Sequence, residues 1–232
     1  MIKIKFLLIM LLCLSCSSDH IVRSEKTGFY GIYKNILAKG FEPDVQEVKK
    51  KPEVYDRKWL SKFNQPVVLL SSLDGKKRAT LVALGNYDNK STWVSADGVS
   101  VSFKNSILIA TRGYSQDLIE SNHNKIEALF GLPKENYTKI NRYLNGVNQY
   151  EELHFSCSIE DNITAQSQFF DLTIPTKKFR EFCVSKNVSH TNEYYVLSGT
   201  NIVLKSKQWI SETNGYVMFH NYYAFQENPI KK

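Results

Sequence analysis

Cys157 and Cys183 are the side chains whose type and spacing most directly suggest chemistry. In an exported protein two such cysteines usually form a disulfide, and this one would close a loop of 26 positions. Thiolates and imidazoles also bind metal ions, so His154 and His190 with the two cysteines make up a competing hypothesis of a metal site. Alternation along a strand would place His154 and Cys157 on opposite faces, which disfavours shared ligation. We therefore expect a disulfide, and neither a metal ion nor a cofactor.

Carboxylates are the second group of side chains that could do chemistry. Cleavage of a glycosidic bond needs two of them, about 5 to 10 Å apart across a cleft. The sequence does not indicate that any two of them lie across a cleft from each other. It contains no Gly-x-Ser-x-Gly motif, phosphate loop or regular metal-ligand spacing. We expect no catalytic residues and keep a hydrolase or a lyase as the alternative. The carboxylates considered are Asp97, Glu151, Glu152, Glu160, Asp161 and Asp171.

Aromatic side chains could bind a sugar through the flat apolar faces of their rings. In this hypothesis neighbouring polar side chains hydrogen-bond the sugar hydroxyls. The competing interpretation is that the rings belong to the core or to cross-strand pairs, where strand aromatics usually lie. The candidates for glycan binding are the rings of Trp93, Tyr194, Tyr195 and Trp209 and the polar groups of Asp97, Arg112 and Gln208.

The first sixteen residues have the pattern of an export signal. Lys3 and Lys5 precede the apolar run Phe6–Leu14, which is too short to cross a bilayer, since a spanning helix needs about 20 apolar residues. Ser15 followed by Cys16 is similar to a bacterial lipobox, in which the cysteine is acylated. Several acyl chains on Cys16 would give stable attachment to a membrane. The sequence therefore predicts a lipoprotein anchored through Cys16.

These features predict how the chain is organised. Residues 1–15 are expected to be the signal peptide, residues 16–30 a lipid-anchored tether, and residues 31–232 a single β-rich domain. Ser17, directly after the cysteine, favours sorting to the outer membrane, with the domain facing the periplasm.

The composition supports a globular core and says little about partners. Hydrophobic residues make up 42% of the chain and aromatic residues 12%, which is sufficient for one large domain. The formal net charge of +7 is spread along the sequence, and nucleic acid is not an expected partner of an exported protein. The triplets that begin at Asn89, Asn136, Asn162 and Asn187 would suit a eukaryotic secreted glycoprotein, but the lipobox argues against that alternative.

The elements that would position these side chains are mostly short strands. Val67–Leu70 and Ala79–Leu84 are apolar runs separated by Asp74-Gly75, a strong turn signal. Short strands and turns then continue at regular spacing, which predicts an antiparallel meander. These strands are Thr92–Ser95, Val99–Phe103 and Ile107–Ala110, with turns at Asp97-Gly98 and Lys104-Asn105.

A second β region begins near Tyr137. Leu153–Ile159 alternates so that Phe155 and Cys157 share one face and His154 lies on the other. Many short strands separated by turns predict a mainly β protein, with antiparallel meander sheets that form a sandwich or barrel-like domain. The further strands expected are Phe169–Ile174, Lys178–Val184, Tyr194–Leu197, Ile202–Lys207 and Tyr216–Phe225.

Only a few short helices are expected. Tyr30 to Phe63 mixes helical spacing with prolines, which indicates short helices and turns. Asp117 to Phe130 has the apolar spacing of an amphipathic helix, and Gly131-Leu132-Pro133 would end it.

Two segments, residues 78–118 and 192–222, carry a resemblance to a known family. The first contains a Trp-x-Ser strand, an Asp-Gly turn and a Thr-x-Gly turn, and the second contains Asn-x-Tyr, a glycine and Ser-x-Gln-Trp. In these motifs the chain resembles the YjbF/GfcB family of lipoproteins, which is associated with group 4 capsule and related exopolysaccharides. The matching residues are Trp93, Ser95, Asp97, Gly98, Thr111, Gly113, Asn192, Tyr194, Tyr195, Gly199, Ser206, Gln208 and Trp209.

Two departures from the family pattern are local. Asn105-Ser106-Ile107 stands where an Asn-Gly-Arg turn is common, and Tyr195 stands where tryptophan is usual. They affect the geometry of one turn and one aromatic contact.

The resemblance implies a β-rich outer-membrane lipoprotein that belongs with polysaccharide-production machinery and has no catalytic activity to carry over. We therefore expect a non-enzymatic accessory or binding factor in capsule or exopolysaccharide assembly or export. Its expected partners are the membrane, reached through lipid on Cys16, the polysaccharide, and proteins of the export machinery.

Overall fold

The structure is a computed structural model that describes residues 55–123, 136–144, 149–160 and 163–227. All of these residues belong to the compact unit Gly40–Lys232. The predictions about the signal peptide, the tether, Cys16 and most of the segment from Tyr30 to Phe63 lie outside the described residues. Within them, no helix has both the length and the apolar character needed to cross a membrane.

The described residues form one antiparallel sheet of thirteen strands, with two helices of four residues each. The strands are β1 Val67–Ser71, β2 Arg78–Tyr87, β3 Lys90–Ser95, β4 Ser100–Lys104, β5 Ile107–Arg112, β6 Asp117–His123, β7 Asn136–Leu144, β8 Tyr150–Ile159, β9 Ile163–Phe169, β10 Leu172–Val184, β11 Ser189–Leu197, β12 Val203–Ser211 and β13 Gly215–His220. The helices are α1 Arg57–Leu60 and α2 Ala224–Glu227.

The sheet consists of two meanders joined through β1. Strands β1 to β5 pair in sequence order, and so do β6, β7, β8, β10, β11, β12 and β13. β1 pairs with both β2 and β13, which connects the two meanders. The long strand β10 pairs with β9 along its first half and with β8 along its second half.

The two end strands of the sheet, β5 and β6, lie side by side and are joined by a short turn. The Asp117 carboxylate organises this turn. It accepts hydrogen bonds from Thr111 Oγ1 at 3.1 Å and from the backbone N–H groups of Gly113 and Tyr114 at 3.0 and 3.1 Å. The sheet therefore curls round until its ends meet. The predicted fold class, mainly β with antiparallel meanders in a barrel-like domain and a few short helices, is confirmed.

The hairpins form at the predicted turns. Gly75 and Gly98 have φ angles of 69° and 88°, a region that favours glycine. The Gly98 N–H donates to the Ser95 carbonyl at 3.0 Å, and β3 pairs with β4 on either side, so the Asp97-Gly98 hairpin is confirmed. Asn105 and Ser106 form the next turn, with φ angles of 49° and 66°.

The interior of the fold contains polar as well as apolar side chains. On β11, His190, Asn192, Tyr194 and Val196 are buried and alternate with partly exposed residues. The same alternation holds along β7 and along the second half of β10. Alternation in a curled sheet sends every second side chain inward, whatever its chemistry. Charged groups are consequently held inside.

The predicted helix from Asp117 to Phe130 is wrong over its first half. Residues 117–123 form β6, which pairs with β7, and residues 124–130 lie outside the described residues. Leu118, Ser121 and His123 are buried while Glu120 is exposed. Pairing with β7 and the Asp117 turn thus decide the conformation, and the helical spacing of the apolar residues does not.

Two predicted strands are also wrong in part. Phe169–Ile174 is interrupted by the turn between β9 and β10, in which Phe170 has a φ of 56°. The ring of Phe170 packs against Tyr222 and Phe225 at centroid distances of 5.2 and 5.5 Å. Tyr216–Phe225 ends as a strand at His220 and continues into α2. In both segments apolar residues that pack outside the ladder had suggested a continuous strand.

The structure contains the predicted disulfide between Cys157 and Cys183. The two residues lie directly opposite each other on β8 and β10, and both are buried. The disulfide therefore links β8 covalently to β10 on the inner face of the sheet.

Replacing both cysteines with alanine should lower the free energy of unfolding by about 2–4 kcal/mol, because the cross-link restricts the unfolded chain. Urea unfolding of the oxidised protein and of the variant measures this difference. A reductant should lower the unfolding midpoint of the wild type and leave that of the variant unchanged. Equal midpoints for the oxidised wild type and the variant would contradict the prediction.

Candidate functional site

The interior holds an ion pair between Glu181 on β10 and Lys139 on β7. Glu181 is 0% and Lys139 4% exposed, and Lys139 Nζ lies 3.3 Å from Glu181 Oε1. Alternation along each strand places them there, since Glu181 precedes the buried Cys183 by two residues and Lys139 follows the buried Tyr137 by two. An unpaired charge in this position would be costly. Each residue thus compensates the charge of the other.

Both carboxylate oxygens of Glu181 also accept hydrogen bonds. Tyr137 Oη donates to Oε1 at 2.5 Å, while Asn192 Nδ2 and Tyr194 Oη donate to Oε2 at 2.5 and 3.0 Å. These side chains come from β7 and β11, so one carboxylate connects three strands. Tyr137, Lys139, Glu181, Asn192 and Tyr194 are called the Glu181 cluster below.

Gln208 links the Glu181 cluster to the first meander. Its Oε1 lies 3.4 Å from Tyr194 Oη and accepts a hydrogen bond from the Leu108 N–H at 2.8 Å, and its Nε2 donates to the Ser106 carbonyl at 3.0 Å. Leu108 belongs to β5, and Ser106 belongs to the turn before it. The side chain of Gln208 is 1% exposed. It bridges β12 and β5 across the interior.

Two buried histidines border the cluster. His190 stacks on Trp209 with ring centroids 4.4 Å apart and an interplanar angle of 12°, and Phe155 meets it edge-on at 4.9 Å. Within the described residues neither ring nitrogen of His190 has a hydrogen-bond partner. His123 shares a hydrogen bond with Ser121 through Nε2 at 2.8 Å, and its Nδ1 has no partner there. Both rings therefore serve mainly as packing groups.

Burial sets the ionisation of these groups. Burial, followed by the nearby Lys139 ammonium, lowers the pKa of His123 and of His190 to about 3, and Glu181 acts in the opposite direction. For Glu181, burial alone would raise the pKa, but Lys139, His123 and the hydrogen bonds that the carboxylate accepts hold the pKa below its ordinary value. Burial and then the Glu181 charge raise the pKa of the Tyr137 hydroxyl. Glu181 is thus the ionised group around which neutral rings pack.

The Glu181 cluster is arranged to hold a charge within the fold. The carboxylate is enclosed, pairs with Lys139 and accepts bonds from three donors, which occupies its acceptor sites. The sulfur atoms of Cys157 and Cys183 lie within 4.8 Å of a Glu181 carboxylate oxygen. Because these sulfurs are joined in a disulfide, they do not supply the thiolates that a metal ion would need.

The structure does not bring together the four residues of the metal hypothesis. His154 lies on the outer face of β8, where its Nε2 shares a hydrogen bond with Glu152 Oε1 at 2.6 Å. Cys157 faces inward on the same strand. The alternation argument against shared ligation therefore holds.

Four of the seven predicted glycan-binding side chains are packed in the core. Trp93, Tyr194, Gln208 and Trp209 are 7%, 0%, 1% and 8% exposed. Trp93 also donates from Nε1 to Ser91 Oγ at 2.9 Å. For these four residues the surroundings are those of the competing core interpretation.

The other three candidates are at least partly exposed and have structural partners. Asp97 accepts a hydrogen bond from Ser95 Oγ in the hairpin turn. Arg112 donates from Nη1 to the Leu118 carbonyl at 3.1 Å, which holds β5 against β6. Tyr195 lies on the outer face of β11. Of the predicted rings, Tyr195 is therefore the one that is accessible from outside.

Those carboxylates considered for hydrolysis that the structure describes are surface groups. Glu152 pairs with Arg142 at 2.7 Å, and Asp171 pairs with Arg57 at 3.5 Å. Of the remaining candidates, Glu151 and Glu160 are exposed and Asp161 lies outside the described residues.

Lys139 and Glu181 are interior residues that the sequence motifs did not predict. A signal was present, because Cys183 was expected to form a disulfide with Cys157, and strand alternation makes Glu181 face the same side as Cys183. For Lys139 the corresponding signal was weaker, since β7 carries polar residues on both faces.

Comparison with known proteins gives a family and a fold. The model of the family described as "Group 4 capsule polysaccharide lipoprotein gfcB, YjbF" matches residues 38–221. A crystal structure of the hypothetical lipoprotein YmcC from Escherichia coli (K12) is similar, with a TM-score of 0.58 and 17% sequence identity over 67% of this chain and 85% of that chain. No curated protein sequence matches the chain.

Proposed function

This chain belongs to the family of group 4 capsule polysaccharide lipoproteins, and on that premise we propose that it is a non-enzymatic accessory or binding factor in capsule or exopolysaccharide assembly or export. The observation that carries the proposal is the family match over residues 38–221, which includes both meanders. The proposed partners are the polysaccharide and proteins of the export machinery.

The geometry of the interior supports a role without catalysis. Glu181, the fully buried carboxylate of the described residues, is fixed by Lys139 and three hydrogen-bond donors. A general acid or base must instead reach the proton that it transfers. Because aromatic rings fill much of this interior, contact with a glycan is proposed to occur on the outer surface.

The proposal includes a lipid anchor on Cys16 at the outer membrane, with the domain facing the periplasm. It is supported by the Ser15-Cys16 lipobox, by Ser17 after the cysteine, and by the description of the family as lipoproteins. An accessory factor that works on one face of a membrane must be held there, and several acyl chains on one cysteine provide stable attachment.

Deletion of the gene should reduce surface polysaccharide, and the Cys16→Ala protein should fail to restore it although it folds. Surface polysaccharide is measured in the deletion strain complemented with each form, and palmitate labelling with membrane fractionation follows the anchor. Cys13→Ser is the matched control, because it removes the neighbouring cysteine of the signal and keeps Cys16. Full rescue by Cys16→Ala, or normal polysaccharide in the deletion strain, would refute the proposal.

The non-enzymatic part of the proposal has its own test. The purified protein is incubated with the native polysaccharide, and new reducing ends and unsaturated products are measured over time. We expect neither product. Steady release of either one in proportion to protein concentration would establish the hydrolase or the lyase instead.

A further inference from the structure

Lysines and tyrosines alternate across the outer face of four neighbouring strands. Tyr195 on β11 lies directly opposite Lys178 on β10 and Lys205 on β12. Lys207 follows two residues after Lys205 on the same face, beside Tyr216 of β13. All five side chains are partly exposed. Together they are called the basic-aromatic strip.

The ammonium groups of the strip are held over its rings. Lys178 Nζ and Lys205 Nζ lie 5.5 and 5.7 Å from the centre of the Tyr195 ring, and Lys207 Nζ lies 4.2 Å from that of Tyr216. Contacts of this kind fix long flexible side chains in place. The strip thus presents positioned cations.

Two of these cations form no ion pair with a described residue, although Glu193 lies directly opposite Lys207 in the strand ladder. Lys178 donates to Glu193 Oε1 at 2.9 Å, whereas Lys205 and Lys207 form no ion pair with any residue that the structure describes. Residues two apart on a strand are about 6.6 Å apart along it. Lys205 and Lys207 therefore place two positive charges on one face of β12, each next to a ring.

We propose that the basic-aromatic strip binds an acidic polysaccharide. Anionic groups of the glycan accept hydrogen bonds from Lys205 and Lys207, whose ammonium groups lie over the rings of Tyr195 and Tyr216. The choice of a polysaccharide as the occupant rests on the proposed function, while the requirement for negative charge comes from the strip itself.

An anionic membrane surface fits the strip less well. Interfacial binding combines basic side chains with apolar ones that enter the bilayer. In the strip the rings are those of two tyrosines, which the ammonium groups of three lysines contact, and none of the five side chains is wholly apolar. An extended glycan lying across the strands needs no such insertion.

Binding is tested with the purified full-length protein in non-ionic detergent and two probes, oligogalacturonate and the same oligosaccharide with its carboxylates methyl-esterified. The two probes share their sugar rings and differ in charge. We expect the protein to bind the acidic probe about tenfold more tightly or better, because charge-assisted hydrogen bonds are lost with the ester. Added salt should weaken binding of the acidic probe.

The strip is tested with the double variant Lys205→Gln/Lys207→Gln. It should lose the preference for the acidic probe. Lys90→Gln/Lys186→Gln removes the same charge from two exposed positions elsewhere and should keep the preference. Tyr195→Ala, which removes the ring that Lys205 contacts, should weaken binding of the acidic probe, whereas Tyr195→Phe, which keeps the ring, should not.

Any of three results with the two probes would overturn the inference. The wild-type protein binds both probes equally, the Lys205→Gln/Lys207→Gln variant keeps the preference for the acidic probe, or the Lys90→Gln/Lys186→Gln control loses it. Binding of phosphatidylglycerol vesicles, but not of oligogalacturonate, that disappears in the Lys205/Lys207 variant would assign the strip to a membrane and also overturn it. Normal surface polysaccharide in the deletion strain would refute the proposed function while leaving charge-dependent binding in the test tube intact. The two failures are therefore distinguishable.

Discussion

The variant Glu181→Gln is expected to lower the free energy of unfolding by about 3–5 kcal/mol, the usual cost of breaking a buried ion pair. The substitution keeps the size of the side chain but leaves the Lys139 ammonium buried. Among the described residues Glu181 is the one carboxylate that pairs with Lys139. Chemical denaturation of the purified protein at neutral pH measures the loss.

Glu193→Gln is the matched control for this prediction. Glu193 also pairs with a lysine, Lys178 at 2.9 Å, but both side chains are about a quarter exposed, at 24% and 25%. A partly exposed pair is screened by solvent, so its loss should cost about 0–1 kcal/mol. Similar losses for Glu181→Gln and Glu193→Gln would show that the buried pair has no special role in stability.

A double-mutant cycle separates the ion pair from the hydrogen bonds of Glu181. Lys139→Met alone leaves a buried carboxylate, whereas Lys139→Met combined with Glu181→Gln leaves no buried charge. We expect the double variant to be more stable than the sum of the two single losses predicts, with a coupling of about 1–3 kcal/mol. A coupling near zero would mean that Tyr137, Asn192 and Tyr194 hold the carboxylate without help from Lys139.

The strands and turns of the first meander could be predicted from the sequence because two signals agree in that region. Period-two alternation and the Asp-Gly turns predicted the first meander, and both signals are local. The prediction failed at Asp117–His123, where Leu118 and Ile119 fit a helix as well as a strand. The deciding interactions, the pairing of β6 with β7 and the contacts of Asp117 with the end of β5, involve residues distant along the chain or in the turn. Local spacing does not contain them.

The interior site was less predictable than the fold. Alternation of apolar residues predicts which face of a strand lies inside. Lys139 and Glu181 are charged residues on that inner face, where apolar residues are expected. Their burial depends on mutual neutralisation between strands that are separated by β8. Tyr194 and Trp209 were predicted as glycan-binding candidates, with a place in the core as the competing interpretation, and the closed sheet shows that both lie inside.

Acidification from neutral pH to about pH 4 is expected to destabilise the protein steeply. His123 and His190 have folded-state pKa values of about 3, below the value of about 6.5 for an unfolded chain. Between these values the unfolded state binds more protons than the folded state, so stability is complete above about pH 6.5 and decreases as the pH falls. Each histidine contributes up to about 1.4 kcal/mol per pH unit in this window. His220, whose pKa burial and then Lys205 lower to about 4, acts in the same direction.

His190→Phe should reduce this pH dependence at little cost in stability. The ring of His190 is stacked on Trp209, and neither of its nitrogens has a hydrogen-bond partner among the described residues, so a phenyl ring keeps the packing and removes a group that must be protonated when the chain unfolds. Urea unfolding of wild type and variant at pH 7, 6, 5 and 4 gives the two slopes, and the slope of the variant should be smaller by about 1.4 kcal/mol per pH unit. His154→Gln is the control for replacing a histidine on the outer face, where 62% of the side chain is exposed. The Lys139 ammonium and the Glu181 carboxylate face His190 from β7 and β10 and are unchanged in both variants. If His190→Phe keeps the full wild-type slope, the ring of His190 is already charged in the folded protein, and the neutral, packed state assigned to it here is wrong.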